Sequence, residues 1–337
     1  MRLSIVTTLY RSAPTINEFY CRALRAAESI SQNIELIFVN DGSSDDSLAL
    51  ALALHRTDPR VVVVDLSRNF GHHRALMTGL GHATGDFVFL IDSDLEEEPE
   101  LLRRFHDRLS QGECDVVYGV QEVRRGRWFE RATGEAFFWL VNAVSDQSFP
   151  RNVVIARLMT RDYVRALLQH QEREFLIANL FQLAGFRQVA LPVQKLSLSP
   201  TTYSLGMRIA MAVKYLTTTS TKLLYATFYL GIAIFAFSLT AILFYVFRYF
   251  RSGIGVDGFT SLIISIWFFG GLTTLVLGII GIYVANIFSE TKRRPYTVVR
   301  QVYRAQASFV SKAEVASEAN AIDMRASESK FDVGAPG

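Results

Sequence analysis

The stretch DFVFLIDSDLEEEPELL, residues 86–102, decides the fold. Its apolar run from Phe87 to Ile91 is continuous rather than alternating, as in a strand covered on both faces. Pro99 suits the first turn of a helix, and Leu101, Leu102, Phe105 and Leu109 then share one helical face. Between strand and helix stand Asp92, Asp94, Glu96, Glu97, Glu98 and Glu100. Like charges this close repel and raise one another's pKa values unless a cation joins them.

The same grammar repeats on the N-terminal side. Arg2–Leu9, IELIFVN (34–40) and VVVVDL (61–66) read as strands, and helices are expected over about 15–30, 48–55 and 75–82. Strands alternating with helices predict an α/β fold, a mostly parallel sheet with ligands beyond the carboxyl ends of its strands. Asp41 and Asp92 stand at two such ends.

Asp92 and Asp94 are one residue apart, so a near-extended backbone turns both the same way. Two oxygen ligands on one side suit Mg²⁺ or Mn²⁺, which keep other positions for a phosphate-bearing substrate. Glu96 is the candidate third ligand. Glu97, Glu98 and Glu100 are assigned to the positive end of the following helix. Asp41, in NDGSSDDS (40–47), either receives a nucleobase or ribose or caps a helix. No G-x-x-x-x-G-K-S/T loop occurs, and GLGHATG (79–85) precedes a strand instead of following one. The adjacent His72 and His73 read as a satisfied loop pair in preference to metal ligands.

The chain has 337 residues, half of them apolar, and a net charge of +3 too small to argue for nucleic acid. Cys21 and Cys114 are far apart and read as reduced, buried thiols. Residues 223–247 carry no charge, nor do 258–289, whose apolar centre spans about 260–287. Each exceeds the roughly 20 residues that cross a bilayer as a helix. The short loop RYFRSGIGVDG (248–258) makes the pair a transmembrane hairpin within 222–289. Lys214, Lys222, Lys292, Arg293, Arg294 and Arg300 outweigh Arg248, Arg251 and Asp257 of the loop, so both termini are expected in the cytoplasm. Residues 204–221 suit an amphipathic helix at the membrane surface, and 290–337 a basic segment and disordered tail.

Residues 65–102, DLSRNFGHHRALMTGLGHATGDFVFLIDSDLEEEPELL, closely resemble the core of family 2 glycosyltransferases with the GT-A fold. Within that family the chain is similar to polyprenyl-phosphate glycosyltransferases, which include dolichyl-phosphate mannose synthases. RRGRWFERATG (124–134), ARLMTR (156–161), EREFL (172–176), AGFRQVALPV (184–193) and IGIYVANIFSETKRRPYTVV (280–299) match further motifs in order. The resemblance implies a catalytic GT-A domain over 1–203 that moves a sugar from a nucleotide diphosphate to a polyprenyl phosphate at the inner (plasma) membrane. It implies that Thr8, Tyr10, Asp41 and Asn69 hold the nucleotide sugar. Asp92, Asp94 and Glu96 would hold the metal, and Arg124, Arg131 and Thr133 the acceptor phosphate. Arg157 and Lys195 are candidate diphosphate contacts. The implied partners are the nucleotide sugar, the polyprenyl phosphate and the membrane, with a homo-oligomer and a flippase as further possibilities.

The chain departs from the family pattern in places. Thr8, Arg11 and Ser12 replace a Pro, an Asn and a Glu, and Thr202 stands where a lysine is usual. Ile155 replaces an Asp, and Gly134 a common Ser. Two other classes compete. A processive polysaccharide synthase would want a Gln-x-x-Arg-Trp motif, whose spacing Gln121 and Trp128 do not have. A non-catalytic scaffold would keep the fold without turnover.

Overall fold

A computed structural model describes residues 1–121, 152–170, 172, 175, 177–194, 222–252 and 258–305. The N-terminal elements alternate: β1 Arg2–Leu9, α1 Ile16–Glu28, β2 Asn33–Asn40, α2 Ser47–Thr57, β3 Val61–Leu66, α3 His72–His82, β4 Phe87–Leu90 and α4 Leu101–Leu109. Then come β5 Val116–Gln121, β6 Val153–Thr160, α5 Arg161–Leu167, α6 Ile177–Leu183 and β7 Gln188–Val193. Two long helices, α7 Lys222–Ser252 and α8 Phe259–Thr291, precede a final strand, β8 Val299–Tyr303.

The strands form one sheet in the order β7-β5-β6-β4-β1-β2-β3-β8. Its centre, β4-β1-β2-β3, is parallel, as is the β5/β7 pair, while β6 and β8 run antiparallel to their neighbours. Successive strand residues face opposite sides, so each strand feeds two cores. Leu3, Ile5, Leu36, Phe38 and Phe89 pack with α1, α2 and α4. Val6, Ile37, Val39, Val88 and Leu90 pack with α3, α5 and α6. Gly79 of α3 lies so close to the sheet that a Cβ there would sit 2.5 Å from Val6 and 2.8 Å from Val39. That close approach, not a phosphate, accounts for this glycine.

Three expectations need correction. The segment after α8 is not only a basic extension: β8 adds a strand to the sheet edge, and Thr297 bonds Thr78 of α3 at 2.8 Å. Cys21 is exposed, although Cys114 is buried, and both are free thiols. Glu100 stands at the N-cap position of α4, but its side chain makes no capping hydrogen bond, and the Glu97 carboxylate turns to β6, as described below.

Both long helices form where apolar runs predict them. Among the described residues, Ser265–Thr291 has the length and mean hydropathy (2.0) to cross a membrane, with none of it buried, and Leu224–Ile234 is a shorter apolar run. Trp267 on α8 is 79% exposed. The amphipathic segment 204–221 and the tail beyond 305 lie outside the described residues. The described residues of Met1–Tyr303 form one compact unit.

Candidate active site

The parallel register brings three strand ends to one edge. Leu9 is level with Asn40, and Val6 with Leu90. Beyond these pairs the Asp41 amide donates to the Leu9 carbonyl and the Ile91 amide to the Val6 carbonyl. Thr8, Tyr10, Asp41 and Asp92 therefore lie at the carboxyl edge of the sheet, where α/β proteins bind ligands.

The loops after β1 and β2 are stitched together. Backbone amides of Tyr10, Arg11, Ser12 and Ala13 donate to Ser12 Oγ, Ser43 Oγ, Ser47 Oγ and Asp45 Oδ2, at 2.8–3.2 Å. Arg11 reaches this arrangement with φ at 57°. The two departures Arg11 and Ser12 thus belong to a built loop. Burial alone would raise the Asp45 pKa, but hydrogen bonds from Ser43, Ser47 and Ala13 hold it well below the usual carboxylate range. Tyr10 stays 48% exposed at the mouth, with the Arg11 guanidinium 5.6 Å from its ring centre.

Asp41 is buried and serves the loop after β3. It accepts from the amides of Phe70 at 2.7 Å and Gly71 at 3.0 Å, so it does not cap α2. Gly42, at φ +59, lets that loop approach: a Cβ would sit 2.4 Å from the Asn69 nitrogen. Asp41 and Gly42 together set the backbone that carries Asn69.

After β4 the side chains alternate. Ser93 is buried and donates to the Thr8 carbonyl at 2.8 Å. Asp92 and Asp94, on either side of it, are half-buried and exposed. Asp94 accepts from the Glu96 amide at 2.9 Å, and Leu95 between them has φ at 61°, rare for a branched residue. Such strain clusters at functional turns. Asp92 Oδ1 lies 3.4 Å from His72 Nε2. Among the described residues no three His, Cys, Asp or Glu side chains are gathered around one point, so Glu96 does not join the aspartates in a ready cage. A pair of hard oxygen ligands that leaves positions to phosphate and water fits Mg²⁺ or Mn²⁺.

Two of the remaining acids are structural. Glu97 is buried and accepts from the amides of Ile155 at 3.1 Å and Ala156 at 2.7 Å, continuing the β4/β6 seam where β4 has ended. Glu100 takes a fork of bonds from Arg22 of α1, at 2.8 and 2.9 Å. Arg157 points inward: it is 2% exposed, its guanidinium lies 3.2 Å from the Phe181 ring centre, and burial pulls its pKa down to about 10. In this structure it supports the β6/α6 core and does not reach the mouth. Arg124, Arg131, Thr133, Lys195 and Thr202 lie outside the described residues.

Sequence reasoning missed the place of His72. It is the first residue of α3, and its ring also meets Thr8 Oγ1 at 3.1 Å. The signal was present: Thr8 and Asp92 follow Val6 and Leu90 on the sheet face that α3 covers.

Comparison with known proteins gives the family. The model of "Glycosyl transferase family 2" matches residues 4–174. A Mycobacterium tuberculosis (strain CDC 1551 / Oshkosh) protein named as a glycosyltransferase is 48% identical over 304 residues, 90% of this chain and 89% of its own. The prophage bactoprenol glucosyl transferase homolog of Escherichia coli (strain K12) is 30% identical over 306 residues, 90% of this chain and 99% of its own. Among solved structures, glucosyl-3-phosphoglycerate synthase from Mycobacterium tuberculosis with Mn²⁺, UDP-glucose and phosphoglyceric acid matches with a TM-score of 0.44 at 19% identity, over 64% of this chain and 79% of that one. On the family match and the near full-length relatives, this chain belongs to glycosyl transferase family 2.

Proposed function

We propose that the chain is an inverting membrane glycosyltransferase moving one sugar from a nucleotide diphosphate sugar to a polyprenyl phosphate. The product would be a polyprenyl-phosphate-sugar for cell-envelope glycans. The observation that carries the reading is the aspartate pair at the end of β4, half-buried and exposed either side of an inward Ser93. Asp92 and Asp94 would hold Mg²⁺ or Mn²⁺, which when bound neutralises the donor diphosphate. Exposed Tyr10, and Asn69 on the backbone set by Asp41 and Gly42, are suited to the nucleotide.

The acceptor class rests on chemistry and on relatives named bactoprenol glucosyl transferase. A phosphate monoester is already a nucleophile near neutral pH, its second pKa being about 6. The protein then needs no general base; it must align two anions, and a single in-line displacement inverts the anomeric carbon. Arg124 and Arg131 suit the lipid phosphate because a guanidinium is a permanent, planar fork. The uncharged sequence stretches 223–247 and 258–289 support a two-span anchor, of which Ser265–Thr291 has the length and hydropathy of a span among the described residues, and the flanking lysines and arginines favour cytoplasmic termini.

The test supplies labelled UDP- and GDP-sugars to membranes containing the chain with Mg²⁺ or Mn²⁺. Label should enter organic-extractable lipid and vanish with chelator. Label found only in water-soluble polymer would reject the proposal in favour of a polysaccharide synthase. A C-terminal reporter should read cytoplasmic, and an external signal would overturn the two-span topology.

A further inference from the structure

We propose that His72 is a positioning residue for the donor site: the Thr8 hydroxyl orients its ring so that Nε2 faces Asp92 and steadies that carboxylate for the cation. The inference rests on the reading of Asp92 as a metal ligand. Three elements converge on it. Thr8 continues β1 beyond Val6, Asp92 follows β4 beyond Leu90, and both fall on the face covered by α3. His72 opens that helix, with Nδ1 3.1 Å from Thr8 Oγ1 and Nε2 3.4 Å from Asp92 Oδ1, a buried oxygen that accepts no formed hydrogen bond from the described residues and that the ring nitrogen faces.

The chemistry fixes the direction of the chain. A carboxylate facing Nε2 is favourable only if that nitrogen carries hydrogen. In the neutral ring Nδ1 is then an acceptor, and the Thr8 hydroxyl can donate to it. Thr8 is buried, and its own carbonyl is taken by Ser93, so this threonine is held on both sides. Carboxylates that bind metals are commonly oriented by such outer hydrogen bonds, and losing one costs about 10- to 100-fold in metal affinity. The arrangement also gives Thr8 a use where the related motif has proline.

The test is Mn²⁺ binding by the purified full chain, read by electron paramagnetic resonance with Mn²⁺ alone and with UDP or GDP. His72→Ala should weaken Mn²⁺ about 10- to 100-fold, with Tm within about 2 °C of wild type. His72→Gln, which restores an N–H donor, should recover most of the loss, and Thr8→Val should weaken binding by a smaller factor. Should His72→Ala fail to fold, the Gln and Val variants decide. If Asp92→Asn abolishes binding while the His72 and Thr8 variants bind as wild type does, the role of His72 is overturned and that of Asp92 stands. Wild-type-like binding by Asp92→Asn would instead overturn the metal reading. A directly coordinated ¹⁴N signal from Mn²⁺ in the wild type would make His72 a ligand and reject the positioning role.

Discussion

The loop after β2 and the loop after β4 look alike as strings: each leaves a buried strand and crowds carboxylates into a few residues. In space they differ. The β2 loop spends its acids on its neighbours. Asp41 accepts two amides of the β3 loop, and Asp45 accepts two hydroxyls and two amides. The β4 loop commits its later acids this way, Glu97 to β6 and Glu100 to α1. Asp92 and Asp94 lie at the carboxyl edge of the sheet, one near His72 and the other accepting an amide of its own turn. An acid becomes structural where another segment brings backbone donors to it.

The sharpest way to break this contrast is Asp94→Asn. Asp94 is exposed, so the variant should keep its melting temperature within about 2 °C and lose label transfer to lipid by about 100-fold or more. Equal activity would remove the chemical half of the comparison. Glu97→Ala should do the reverse. It strips the carboxylate from two amides in a buried seam, at a cost of about 3 kcal/mol, seen as a lower melting temperature. A variant as stable as wild type would mean that water or a shifted backbone replaces Glu97.

Much of this was legible beforehand, for physical reasons. The central strands read correctly because burial on both faces demands continuous apolar runs, as in VVVVDL. α4 was legible from Pro99 and a face of four buried residues, Leu101, Leu102, Phe105 and Leu109. The partners of the acids were not. Glu97 meets residues 58 and 59 positions later, and nothing local marks such a pairing. β8 was missed because an edge strand is held by backbone bonds: VRQVY has three exposed central residues and no alternation. His72 reads as a satisfied loop residue; it opens α3 instead, and its contacts with Thr8 and Asp92 were not legible because they depend on two strand ends meeting one helix start.

Gly42→Ala probes the β2 side more gently. The left-handed backbone and the 2.4 Å approach of the Asn69 nitrogen leave no room for a methyl group. Stability should fall by about 2 kcal/mol, and the donor KM should rise as the Asn69 loop shifts. Gly81→Ala, in α3 with nothing near its Cβ position, should be neutral or slightly stabilising. If both behave alike, the interlock of the β2 and β3 loops is not what holds Asn69.

Asp45→Asn carries the smallest effect and the clearest sign. The hydrogen bonds of the folded loop outweigh burial and depress the Asp45 pKa, whereas an unfolded aspartate titrates near 3.9. A depressed folded value means that the charged form stabilises the native state above that pH, and that this contribution fades as pH falls toward the folded value. The asparagine variant should therefore be less stable than wild type by about 1 kcal/mol at pH 7, and the gap should narrow below about pH 4. Melting curves of the two chains between pH 7 and 3 measure this directly. A gap that ignores pH would mean that Asp45 holds the β1 and β2 loops by shape alone, and that its charge contributes nothing to stability.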